Sequence, residues 1–128
     1  GNAVMMGMLA NLTDNDLRAL AGYFASRKPN ANSAQDKDRA LMGQGIYRGG
    51  IAAKSVAACA GCHAPDGSGI PAQYPRLAGQ QSEYIVAQLK AFRAEGRVND
   101  PNEMMRSVAA NLNDKEISAL AEYISGLR

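Results

Sequence analysis

Two cysteines and the only histidine of the chain fall within five consecutive residues, Cys59-Ala60-Gly61-Cys62-His63. No other stretch constrains the fold as strongly. Thiols three positions apart on one turn point to the same side of the backbone, and the next residue can bring its imidazole to the same place. The chemical match is covalent haem attachment: each thiol adds to one vinyl group, and the imidazole takes the iron. A chain that folds around such a group must wrap apolar elements about a flat cofactor. Aromatic side chains, ordinarily large contributors to a core, are few here, with no Trp, two Phe and five Tyr. A porphyrin would supply the missing apolar surface.

Other readings of the cysteines fit less well. A thioredoxin-like pair expects a strand–helix–strand setting, and no alternating apolar pattern is visible. Structural zinc takes four protein ligands, whereas two Cys and one His are all the chain offers. Two neighbouring cysteines form no disulfide framework. The 14 basic and 12 acidic residues leave a net charge of +2 with no basic stripe, which argues against nucleic-acid binding. No apolar run approaches the roughly 20 residues that span a bilayer. An exported chain loses its signal peptide, so the lack of one leaves export open.

Helical periodicity dominates. Thr13 caps a helix over 14–27, with Asp16 at the third position of a capping box and Leu17, Leu20, Ala21 and Phe24 on one face. Lys28-Pro29-Asn30-Ala31-Asn32-Ser33 reads as a linker. Helices are expected over 34–47, ended by Gly49-Gly50, and over 82–95, ended by Gly96. The last is expected from Asn113, with Glu116 as box partner, to about Gly126. Residues 59–79 read as loop and 99–104 as an irregular turn. The fold class is all-α.

The chain also repeats itself. Ala10-Asn11-Leu12-Thr13-Asp14 matches Ala110-Asn111-Leu112-Asn113-Asp114. Ala19-Leu20-Ala21 matches Ala119-Leu120-Ala121, and Tyr23 matches Tyr123, all at an offset of 100. Two similar domains in tandem account for this, the first represented only by its C-terminal part. The expected organisation is a remnant and linker over 1–33 and a complete haem domain over 34–128.

A second axial ligand is expected from methionine, which raises the reduction potential and suits electron transfer. Met104 and Met105 both precede the final helix. The repeat favours Met105, because Met5 falls on it at the fixed offset, whereas Val4 falls on Met104. Met6, Met8 and Met42 read as core fillers. A ligating histidine usually donates its second ring N–H to a carbonyl or carboxylate, and Pro75 lies in the loop best placed to supply one. Arg76, Tyr84 and Arg97 are candidate partners of haem propionates.

These stretches together resemble the diheme cytochrome c4 family of bacteria. The resemblance rests on Tyr47-Arg48-Gly49-Gly50, the pentapeptide at 59–63, Tyr74-Pro75-Arg76-Leu77-Ala78-Gly79-Gln80, Tyr84, Gln88-Leu89, Phe92-Arg93, Asn99-Asp100 and Met105-Arg106-Ser107. It implies a class I cytochrome c domain with His63 and Met105 as axial ligands, preceded by a helical remnant of a similar domain. In that remnant Met5 would ligate the haem of the first domain, whose attachment motif this sequence lacks. The resemblance further implies one haem c here and a second in the full-length protein, packing against a first cytochrome domain, and a periplasmic location. It implies electron transfer by transient docking with redox partners, membrane-bound respiratory oxidases among them, and association with the membrane surface. No catalysis is expected of such a carrier. The alternative is a haem subunit or electron-entry domain of an oxidoreductase complex.

Overall fold

A computed structural model describes residues 2–128. The chain divides into two compact units, Gly1–Asn30 and Ala31–Arg128.

The first unit holds two helices, α1 (Ala3–Leu9) and α2 (Asp14–Ser26). Asn2 caps α1, its Oδ1 accepting the Met5 N–H at 3.1 Å. Thr13 and Asp16 form a reciprocal capping box on α2, with bonds of 3.1 and 2.9 Å that satisfy two otherwise orphaned N–H groups. Neither helix buries a residue. Met6 and Met8, expected as core, are 67% and 70% exposed. A pair of short helices has too little opposing surface to cover them. Leu17, Leu20 and Phe24 share one apolar face, which is also exposed.

The second unit holds α3 (Lys37–Gly49), α4 (Ala60–His63), α5 (Ser82–Arg93), α6 (Met104–Ala110) and α7 (Asp114–Ser125). Helix α7 is central. It packs against α3 and α5, and α5 also packs against α6. Tyr47, Ile117 and Leu120 are its largest fully buried side chains, joined by Ile46, Val56, Ile85, Leu89, Leu112 and Ile124. Burial of each large aliphatic group contributes about 1.5–3 kcal/mol. The α3–α7 crossing depends on Gly43: a Cβ there would lie 2.0 Å from the Ala119 carbonyl oxygen and 2.9 Å from Tyr123 Cβ. One turn on, the Tyr47 and Tyr123 rings meet at 5.4 Å. An Asn113–Glu116 capping box starts α7, and Lys54 Nζ reaches Glu116 Oε1 at 2.5 Å.

Among the described residues the chain is all-α. The β pairings are two isolated bridges, Ile51 with Val56 and Ile70 with Tyr74.

Several boundaries differ from the sequence-based expectation. Helix α3 starts at Lys37 rather than residue 34, because Asp36 caps it through the Arg39 N–H at 3.0 Å. The backbone N–H groups of Gln35 and Asp36 are instead held by Glu122 Oε1. Residues 31–33 group with the second unit, where Asn32 Nδ2 donates to the Gly79 carbonyl at 2.7 Å. Helix α5 stops at Arg93, two residues early. The turn is made by Glu95 in the left-handed region (φ 57°), and Gly96 donates to the Ala91 carbonyl. The turn expected over 99–104 is shorter: it runs through Pro101–Glu103, with Asn102 and Glu103 left-handed, and leads directly into α6, so Met104 and Met105 open a helix. Met42 is 37% exposed and fills no core.

Candidate functional site: the Cys-x-x-Cys-His turn

Cys59 precedes α4, a single helical turn that carries Cys62 and His63. Both thiols are free; Cys59 is half-buried and packs against the core cluster, whereas Cys62 is exposed. Burial pushes the Cys59 thiol up to about 11, and the neighbouring Cys62 adds in the same direction. A thioredoxin-type nucleophile needs the opposite shift. Zinc is no better served, since no group of three or more His, Cys, Asp and Glu is gathered among the described residues.

His63 is 7% exposed. Its Nδ1 lies 2.9 Å from the Pro75 carbonyl oxygen, so Nε2 is the nitrogen left for a metal. The loop that delivers Pro75 depends on glycine. Gly69 sits at φ 76°, and a Cβ there would lie 2.5 Å from Tyr74 O and 2.7 Å from Arg76 N. Its N–H donates to the His63 carbonyl at 2.9 Å. Gly67, at φ 72°, accepts from the Leu77 and Ala78 N–H groups, which closes the loop. Asp66 steadies the same turn: hydrogen bonding from Ser68 holds its carboxyl below the usual range.

Tyr47 completes the frame. It is fully buried, and its hydroxyl donates to the Ala64 carbonyl at 2.6 Å. Ala64 directly follows His63 and is held at φ 68°. The sequence offered Tyr47 only as part of a matching stretch; the Gly67-Ser68-Gly69 spacing was a readable sign that the loop turns sharply here.

The remaining candidates are more scattered. Met105 is half-buried and packs against the core, while Met104 is 37% exposed. Tyr84 is 49% exposed on α5, and Arg76 is exposed in the loop. Arg97 is held by Gln88 Oε1 at 2.8 Å and Asn99 Oδ1 at 2.9 Å, and it lies over the Phe92 ring. Met5 is 50% exposed on α1 in the first unit.

The residues fit a covalently held haem. Two free thiols flank one turn that packs on α3, a buried imidazole has one nitrogen tied to a carbonyl, and Cys59 and Met105 both pack against the apolar core cluster. Residues 50–128 match the family model described as Cytochrome c, which defines the class: a class I c-type cytochrome domain with haem c as its cofactor. Cytochrome c4 of Azotobacter vinelandii is 49% identical over 96% of this chain and 59% of its own length. The thiosulfate dehydrogenase electron acceptor of Stutzerimonas stutzeri is 34% identical over 98% of this chain and 59% of its own length. The crystal structure of reduced recombinant cytochrome c4 from Pseudomonas stutzeri superposes with a TM-score of 0.95, at 43% identity over 99% of this chain and 67% of that one. The chain belongs to the cytochrome c family and, within it, to the diheme cytochromes c4. It spans 59% of the length of the two curated relatives named here.

Proposed function

We propose that this chain is the haem-carrying C-terminal domain, with the tail of a similar first domain, of a two-haem periplasmic electron carrier. On this reading residues 1–33 are the remnant and linker and 34–128 the complete domain. The offset repeat supports it, since both copies open their last helix with the same capping box. The observation that carries the functional reading is His63, buried and fixed through Pro75 beside two free thiols.

Cys59 and Cys62 would hold the haem by thioether bonds, and His63 Nε2 and Met105 Sδ would be the axial ligands. When bound, haem supplies a one-electron Fe(III)/Fe(II) couple. The protein's part would be to hold the iron through His63 and Met105, leaving no open place on it for a substrate, and to exclude water with the α5–α6–α7 core. Pro75 fixes the imidazole plane, and Tyr47 fixes the backbone after it. Arg76, Tyr84 and the free Nη2 of Arg97 are the groups offered to propionates. Met5 would serve the haem of the first domain. Partners would dock transiently through small interfaces, a membrane-bound respiratory oxidase as acceptor, at the membrane surface. No helix of the described residues is long and apolar enough to cross a membrane.

A denatured intact mass should equal chain plus one haem. Met105→Ala should keep the haem, lose the weak long-wavelength Met-to-ferric-iron band and lower the reduction potential, whereas Met104→Ala should keep haem, band and potential alike. An unchanged Met105→Ala spectrum would refute the ligand assignment. A second reading, an electron-accepting partner of a dehydrogenase, is favoured by the relative named as a thiosulfate dehydrogenase electron acceptor. Reduction of the carrier by such a dehydrogenase faster than its oxidation by an oxidase would support it.

A further inference from the structure

Among the described residues, the segment before Met105 is built unlike any other turn. Asn102 and Glu103 are consecutive left-handed residues, φ 55° and 57°. Neither is glycine, and side chains other than those of Asn, Asp and Gly rarely take this conformation. Something must hold the turn. Asp100, its side chain only 4% exposed, reaches across it. One carboxylate oxygen accepts the backbone N–H of Arg106 at 3.0 Å, and the other accepts Arg106 Nε at 2.9 Å. The Arg106 guanidinium also contacts Glu103 Oε1 at 3.4 Å and the Val98 carbonyl at 3.5 Å. The strained turn lies between the two partners, and Met105 is joined directly to the clamped amide.

We infer that Asp100 is a positioning residue for Met105. Its carboxylate closes the strained turn onto the first turn of α6 and so fixes where the Met105 backbone stands. The first unit uses a different device from a different position: Asn2, which falls on Asn102 at the offset of 100, accepts the N–H of Met5 itself, and Met6 stands where the second unit has Arg106. In both units a side-chain oxygen pins the backbone at or next to the repeat-related methionine. The inference rests on Met105 being the distal ligand, as proposed above.

The test is imidazole binding to the ferric, haem-loaded protein, read optically, in Asp100→Ala and Asp100→Asn, with Met105→Ala alongside. Exogenous imidazole must displace the distal ligand, so its affinity reports how firmly that ligand is presented. Asp100→Ala should weaken the Met–iron band and tighten imidazole binding roughly tenfold, the low end of what a lost charge-assisted hydrogen bond costs. Asp100→Asn keeps one acceptor oxygen and should tighten binding about threefold; it serves if the Ala variant fails to mature. A residue that merely supports the fold would lower the urea midpoint and leave imidazole affinity unchanged. That result in either variant would overturn the inference. If Met105→Ala keeps the band and the wild-type affinity, the ligand assignment fails, and the positioning role falls with it.

Discussion

Tyr47 gives the sharpest test of how the haem turn is held. Tyr47→Phe removes one oxygen from a fully buried side chain and leaves the packing volume nearly unchanged. The loss is the 2.6 Å bond to the Ala64 carbonyl, which keeps only the Gly67 N–H at 3.1 Å. Losing one such bond from an acceptor that keeps another costs about 0.5–1.5 kcal/mol. In a unit spanning Ala31–Arg128, a loss of about 1 kcal/mol lowers Tm by roughly 4–8 °C. The pH dependence separates this from a general packing defect. Burial, with smaller contributions from Cys59, Tyr123 and Asp66, pushes the Tyr47 hydroxyl from its ordinary 10.0 up to about 12. The folded state therefore holds the proton more tightly than the unfolded state. That stability is fully present below pH 10 and is lost as pH rises towards 12. The Tyr47→Phe variant, with no hydroxyl to titrate, cannot lose it. Urea unfolding of both proteins at about pH 8, 10 and 11.5, a series that brackets the two ends of this titration, should show the stability gap narrowing at the alkaline end. A gap that is absent at the lowest pH, or that stays constant through the series, would refute the reasoning.

Gly43→Ala should destabilise the second unit by more than about 3 kcal/mol, because its new Cβ would meet backbone at 2.0 Å; thermal melting or failure to accumulate haem-loaded protein would show it. Glu116→Gln should cost about 1–2 kcal/mol at neutral pH and flatten the acid limb of the urea-stability profile. Burial raises the Glu116 carboxyl, but the Asn113 N–H and Lys54 outweigh it and hold it below 4.5, so its stability is present above that pH and lost on acidification. A variant that keeps the wild-type acid slope would contradict this.

The parts of the fold legible in sequence were those with local causes. Thr13 with Asp16 and Asn113 with Glu116 announce the starts of α2 and α7, because a capping box is made within four residues. The pentapeptide announces the site for the same reason. Helices α1 and α6 were not legible. Each has seven residues, too few to display an apolar stripe, and α6 is started by a turn whose left-handed residues are Asn102 and Glu103 rather than glycine. Arg97 was readable as a cation but not as one already held by Gln88 and Asn99, which are brought to it by tertiary packing. The Tyr47 bond to Ala64 joins positions 17 residues apart, and no local pattern signals it.

Glu122 closes the second unit on itself. One of its carboxylate oxygens receives the N–H groups of both Gln35 and Asp36, fastening the incoming chain to the final helix. At the repeat-related place of the first unit stands Gly22, which has no side chain to offer. The two copies are thus alike in their caps and unlike in what they can receive. Glu122 ties residues 35 and 36 to the last helix, so that the start and the end of the second unit are held as one piece.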